Sequence, residues 1–247
     1  MTPGRAIHRL LLSAVVILTS SCIDTREEYW LDANGGGRAH AVYELPLAVA
    51  RTQGGPEGIK KQIDGFLKNT PEIRSSDCSV TIQGERLRVE LHAAFDSALD
   101  LKEVATGGSI QNLPSAASHL AGEITADLQG RSLVFSRKIS AAKALPGAAF
   151  LPASQLDGHR MVYIMHLPAP VEESNATSTT DSGRTLIWDI PVSQAVRAPL
   201  VTRFKMAIPI PWAWVTGVAV PCSLAGLLAF AKIRKSRKIR SDEAMEK

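Results

Sequence analysis

From Met206 to Ala231 the chain carries no charged side chain, and Lys205 and Lys232 bracket the run. An uncharged stretch of that length exceeds what a helix in a soluble core needs and predicts one transmembrane helix. With Pro211 in the first turn, where a missing N–H costs nothing, the helix to Ala231 would rise about 31 Å, close to the thickness of a hydrocarbon core. Trp212 and Trp214 then fall at one membrane interface, while Lys232, Arg234 and Lys235, followed by Arg237, Lys238 and Arg240, crowd the other. Indoles favour the headgroup region and basic loops stay inside, so the tail is expected in the cytoplasm and the preceding body outside it. Pro221 withholds one backbone hydrogen bond and is expected to kink the helix.

The opening residues complete this topology. Arg5 and Arg9 precede Leu10–Leu18, an apolar run too short to span a bilayer but of the length of a secretion-signal core. Leu18-Thr19-Ser20-Ser21-Cys22 follows and looks like a bacterial lipoprotein processing site, with cleavage before Cys22 and acylation of its thiol. The usual Leu three places before the Cys is replaced here by Thr19. The expected organisation is a signal peptide over 1–21, an exported domain over 22–206, a transmembrane helix over 207–231 and a basic cytoplasmic tail over 232–247. The destination is the inner (plasma) membrane. Membrane flanks also account for the formal net charge of +4. Between them acids slightly outnumber bases, which removes nucleic acid as an expected partner.

Within the exported part, Glu28–Asp32 and Arg38–Leu45 flank Asn34-Gly35, the signature of a hairpin. Gly54-Gly55-Pro56 opens a helix with Ile59, Ile63, Phe66 and Leu67 on one side, closed by Asn69-Thr70-Pro71. Val80 and Ile82, then Leu87, Val89 and Leu91, alternate with polar residues around Gln83-Gly84-Glu85 and predict a second hairpin. A short helix is expected from Asp96 to Val104, and a longer one from Asn112 to Gly130 with Ala117, Leu120, Ala121, Ile124 and Leu128 at helical spacing. Strands are expected at Leu133–Ile139, Met161–Leu167, Arg184–Ile190 and Leu200–Phe204, and 172–183 reads as an exposed loop. Its Asn175-Ala176-Thr177 matches a glycosylation sequon by chance. The fold class is therefore α+β, a curved antiparallel sheet with two or three helices on one face, plus the C-terminal transmembrane helix.

Three stretches together resemble the LppM domain family of bacterial envelope lipoproteins: Tyr29–Pro46 just after Cys22; Leu167-Pro168, Ser174-Asn175-Ala176 and Gly183–Trp188; and the C-terminal apolar run with its basic tail. Where that family tends to carry a Leu-Pro-Gly turn, this chain has Leu167-Pro168-Ala169-Pro170. The resemblance implies an α+β domain displayed on the envelope, similar to proteins that hold hydrophobic or lipid-like molecules. It implies no catalytic residues and no cofactor.

The residues themselves spell out no catalytic motif. His40, His92, His119, His159 and His166 are scattered singly along the body and form no metal-ligand motif. Ser136 and Lys138 share a strand face as alternating polar residues do, and Cys78 reads as a small buried hydrophobe. Trp30 and Trp188 are the two aromatic features of the body, each able to line a ligand cavity or to anchor the core. The function expected is that of a non-enzymatic, membrane-anchored envelope lipoprotein whose exported domain binds a hydrophobic or lipid-like molecule. The alternative is an assembly or sensing module that meets an envelope protein without a ligand cavity. Membrane lipids are partners under either.

Overall fold

The computed structural model describes residues 23–97, 115–145 and 148–208. The expected signal peptide, Cys22, the expected transmembrane helix with Trp212 and Trp214, and the basic stretch with Lys232, Arg234 and Lys235 lie outside the described residues. The short helix expected from Asp96 falls almost wholly outside them too. Among the described residues no helix is long and apolar enough to cross a membrane. The fold is α+β, rich in sheet, with few helices and a curved sheet.

Strands β1 (Asp24–Leu31), β2 (Gly37–Pro46), β3 (Ile73–Gln83), β4 (Arg86–Phe95), β7 (Arg160–His166), β9 (Ser178–Thr180) and β10 (Thr185–Pro191) form a seven-stranded sheet in the order β3-β4-β2-β1-β7-β10-β9. A smaller sheet, ordered β5-β6-β11-β8, is built from β5 (Glu123–Gln129), β6 (Ser132–Ile139), β11 (Leu200–Ala207) and β8 (Val171–Ser174). Two sheets thus replace the single one expected. The large sheet is mixed rather than antiparallel, because β1 pairs parallel with β7, from Thr25 opposite Met161 to Trp30 opposite His166. Parallel neighbours need a long crossover, and the chain between these strands is long enough to contain several elements.

Side chains alternate across each strand, and that alternation decides where the core sits. Inward-facing Met161, Tyr163, Met165, Leu186 and Trp188 of the large sheet pack with Leu133, Ile139, Leu200, Phe204 and Met206 of the small sheet in one apolar cluster. Beside it lies a second cluster. Helices α1 (Leu47–Thr52) and α2 (Gly55–Lys68) supply Ala50, Ile59 and Leu67, which pack on Cys78, Leu87 and Val89 of β3 and β4. Pro56 sits in the first turn of α2, Glu57 is its first-turn acid and Lys68 its last-turn base. Each placement complements the helix's free N–H groups or its dipole.

The helix expected over 112–130 is in fact helix α3 (Ser115–Ala121) followed by strand β5. Gly122 divides them. Its φ is +73°, and a Cβ added there would lie 2.5 Å from the Lys138 carbonyl oxygen. Gly130, expected to stop the helix, instead turns the β5–β6 hairpin with φ +62° as the first of two loop residues, a position that favours glycine in hairpins of the II′ kind. The polar stretch 172–183 is also more ordered than a loop, since part of β8 pairs with β11 and β9 pairs with β10.

Candidate functional site

Two polar assemblies flank β1, one on each face. On the inner side Glu27 is fully buried, and Arg137 of β6 reaches it across the gap between the sheets, with Nη1 2.6 Å from Oε2. Nε and Nη2 of the same guanidinium donate to the Ala121 and Leu120 carbonyls at 2.8 and 2.9 Å, which satisfies the end of α3. Tyr29 and Tyr43 donate to Glu27 at 2.6 and 2.9 Å, and the guanidinium lies 5.2 Å from the centre of the Tyr163 ring. Burial opposes the charge of Arg137, but the attraction of Glu27 more than offsets this and raises its pKa well above the usual value. Burial likewise raises the hydroxyl pKa values of Tyr29, Tyr43 and Tyr163, with Glu27 adding to the effect. With its acid and base closed off from solvent and satisfied by one another, this assembly is a structural tie between the sheets.

The outer face of the large sheet is a different environment. Ion pairs run across it from His159 to Asp24 (2.9 Å), Asp24 to Arg86 (2.8 Å), Arg86 to Glu44 (3.6 Å), Glu44 to Arg88 (3.0 Å) and Arg88 to Glu90 (3.5 Å). The chain of pairs ends on two histidines. His40 of β2 and His92 of β4 are cross-strand partners whose rings stack at 4.2 Å, and Glu90 Oε1 is 2.8 Å from His40 Nε2 and 3.7 Å from His92 Nε2. The hydrogen bond with His40, and then Arg88 beside it, hold the Glu90 carboxyl below its usual pKa. Two histidines isolated in sequence are therefore neighbours in space, and their donor atoms and that of Glu90 lie within 4.8 Å of one another.

Trp30 is on this outer face, half-buried, with Arg38 of β2 4.7 Å from its ring centre and His166 of β7 stacked on it at 5.2 Å. His166 Nε2 is 2.7 Å from Glu28 Oε1, which also pairs with Arg26 through Oε2. Trp188, the other aromatic candidate, faces the opposite way. It is 2% exposed in the core, and its indole N–H donates to Asn175 Oδ1 at 2.9 Å. The two tryptophans do not share a site. The Asn175 amide nitrogen donates to the Val201 carbonyl at 2.7 Å, so the sequon's side chain is engaged in joining the two sheets.

On α2, Ile59 and Leu67 are buried against β3 and β4, with Ile63 and Phe66 packed at the edge of the same cluster. A cavity of about 260 Å³ beside this helix is lined by Lys60, Asp64, Leu67, Lys68, Ser76, Asp77 and Cys78 and is mainly polar. Burial raises the Cys78 thiol pKa. Ser136 and Lys138 are on the outer face of the small sheet, as alternating strand residues. Sequence reasoning missed the Glu27–Arg137 tie and the His40–Glu90–His92 group, because each joins residues on separate strands. The one available signal for the former was an acid and a base at otherwise apolar strand positions.

No protein-family profile and no curated protein matches the chain. Among solved structures, the folded domain of LppM from Mycobacterium tuberculosis is similar at 9% identity with a TM-score of 0.49, covering 78% of this chain and 93% of that one. The zebrafish Fcho1 mu homology domain with bound Eps15 peptide aligns at 8% identity with a TM-score of 0.25, covering 78% and 82%.

Proposed function

We propose that this chain is a membrane-anchored, non-enzymatic lipoprotein of the bacterial cell envelope, and that its exported domain is a recognition module that meets an envelope protein on the outer face of the seven-stranded sheet. The observation that carries the reading is Trp30, held on that face with Arg38 on one neighbouring strand and His166 on the other. Trp and Arg are enriched among residues that dominate binding energy at protein interfaces, and here the stack fixes the indole before any partner arrives. Anchoring draws on the sequence alone, on Cys22 and on the uncharged run with its basic tail. The hydrophobic-ligand reading rests on the resemblance and on a curved sheet covered by amphipathic helices; of the residues that could line a pocket for it, Trp188 and the apolar side of α2 pack in the core.

The test places a photoreactive residue at position 26, on the same strand face as Trp30, in the full chain in its native membrane. Irradiation is expected to trap one protein reproducibly, and Trp30→Ala is expected to abolish the adduct. The proposal fails if only lipid is trapped, or if the same protein is trapped equally well from position 143, on a short helix outside the large sheet.

A further inference from the structure

We infer that His40, Glu90 and His92 form a binding site for a divalent transition-metal ion of the zinc type, held on the outer face of the large sheet with one coordination position open to solvent. The donor atoms of the three residues lie within 4.8 Å of one another. Zinc takes imidazole nitrogen and carboxylate oxygen at roughly 2.0–2.2 Å, so ligands at the corners of a tetrahedron stand about 3.4 Å apart. Separations of 2.8 and 3.7 Å from Glu90 Oε1 to the two Nε2 atoms bracket that value. The two imidazoles, stacked 4.2 Å apart and 5° from parallel, must turn about their side-chain torsions for both Nε2 lone pairs to meet one cation.

The backbone fixes this arrangement. His40 and His92 are in register on adjacent antiparallel strands, and Glu90 is two residues before His92 and so on the same face. Glu90 offers Oε1 to the site while Arg88 lies 3.5 Å from Oε2, an outer partner that orients the carboxylate. Arg88 is itself paired with Glu44 at 3.0 Å, which reduces its repulsion of a bound cation. On the neighbouring strands Glu28 of β1, itself paired with Arg26 and His166, is in register with His40, and Asp77 of β3 is in register with His92. Two imidazoles and one carboxylate suit zinc, and the exposed side of His92 leaves room for water or a partner's side chain as the fourth ligand.

The full chain, purified in detergent and stripped with a chelator, is titrated with zinc sulfate by calorimetry. One equivalent is expected to bind, with His40→Ala, His92→Ala and Glu90→Gln each weakening it by about tenfold or more, while His159→Ala leaves it unchanged. Circular dichroism establishes that each variant is folded. In the unmodified protein, zinc is expected to shield His40 and His92, but not His159, from acylation by diethyl pyrocarbonate, read by mass spectrometry. The inference is overturned if the His40→Ala/His92→Ala double variant binds zinc as the parent does, or if zinc shields the three histidines alike. Neither readout depends on the Trp30 contact, so failure here leaves the recognition reading standing.

Discussion

Glu27 shows how one residue can connect two sheets. Its carboxylate, fully buried, accepts from Tyr29, Tyr43 and Arg137, and Arg137 also satisfies the Ala121 and Leu120 carbonyls. Removing one member leaves the other charge buried without a counter-ion, which costs far more than the intact pair contributes. Arg137→Ala is expected to lower unfolding free energy by about 3–5 kcal/mol, measured by urea denaturation. The double change Glu27→Leu/Arg137→Met should recover part of that loss. Recovery stays partial because the Tyr29 and Tyr43 hydroxyls lose their acceptor, each at roughly 1–3 kcal/mol. A single-variant loss below about 1 kcal/mol would show that the pair is no tie.

Among elements, Gly122 marks where sequence and structure part. Leu120, Ile124 and Leu128 fit helical spacing, yet Ile124, Ala126 and Leu128 equally fit the alternation of a strand, and only pairing with β6 decides between them. The first hairpin, α2, β3–β4, β6, β7, β10 and β11 were legible, because each has a clear period and a turn or cap at its ends. Strands β8 and β9 were not, being short, polar edge strands whose only signal is their partner. Gly122→Ala tests the boundary directly. With φ at +73° and the Lys138 carbonyl 2.5 Å from the added Cβ, the substitution is expected to cost at least about 1–3 kcal/mol in the same denaturation measurement. An unchanged midpoint would mean that this junction is relaxed in solution.

At the scale of the whole molecule, what the sequence could not reveal was long-range: the parallel β1–β7 pair, the second sheet and the polar groups drawn from distant strands. The candidate site was half legible, since Trp30 stood out by type while His40, Glu90 and His92 stood out only once β2 and β4 were paired. The buried assembly turns this long-range order into something measurable. The chain has three tyrosines, and all of them, Tyr29, Tyr43 and Tyr163, line the one space between the sheets. Burial raises all three hydroxyl pKa values, with Glu27 adding to the rise because a tyrosinate would face its carboxylate. A raised folded value means that ionisation favours the unfolded chain. This contribution to stability is therefore fully present below the unfolded tyrosine value near 10 and is lost as pH rises above it. Tyrosinate absorbance is expected to appear late and in a single step, coincident with loss of the β-sheet circular dichroism signal, whereas in denaturant the same groups titrate near 10. A tyrosine that ionised reversibly near 10 while the sheet signal persisted would mean that the space between the sheets admits water, and the tie through Glu27 and Arg137 would no longer explain how the two sheets are held as one body.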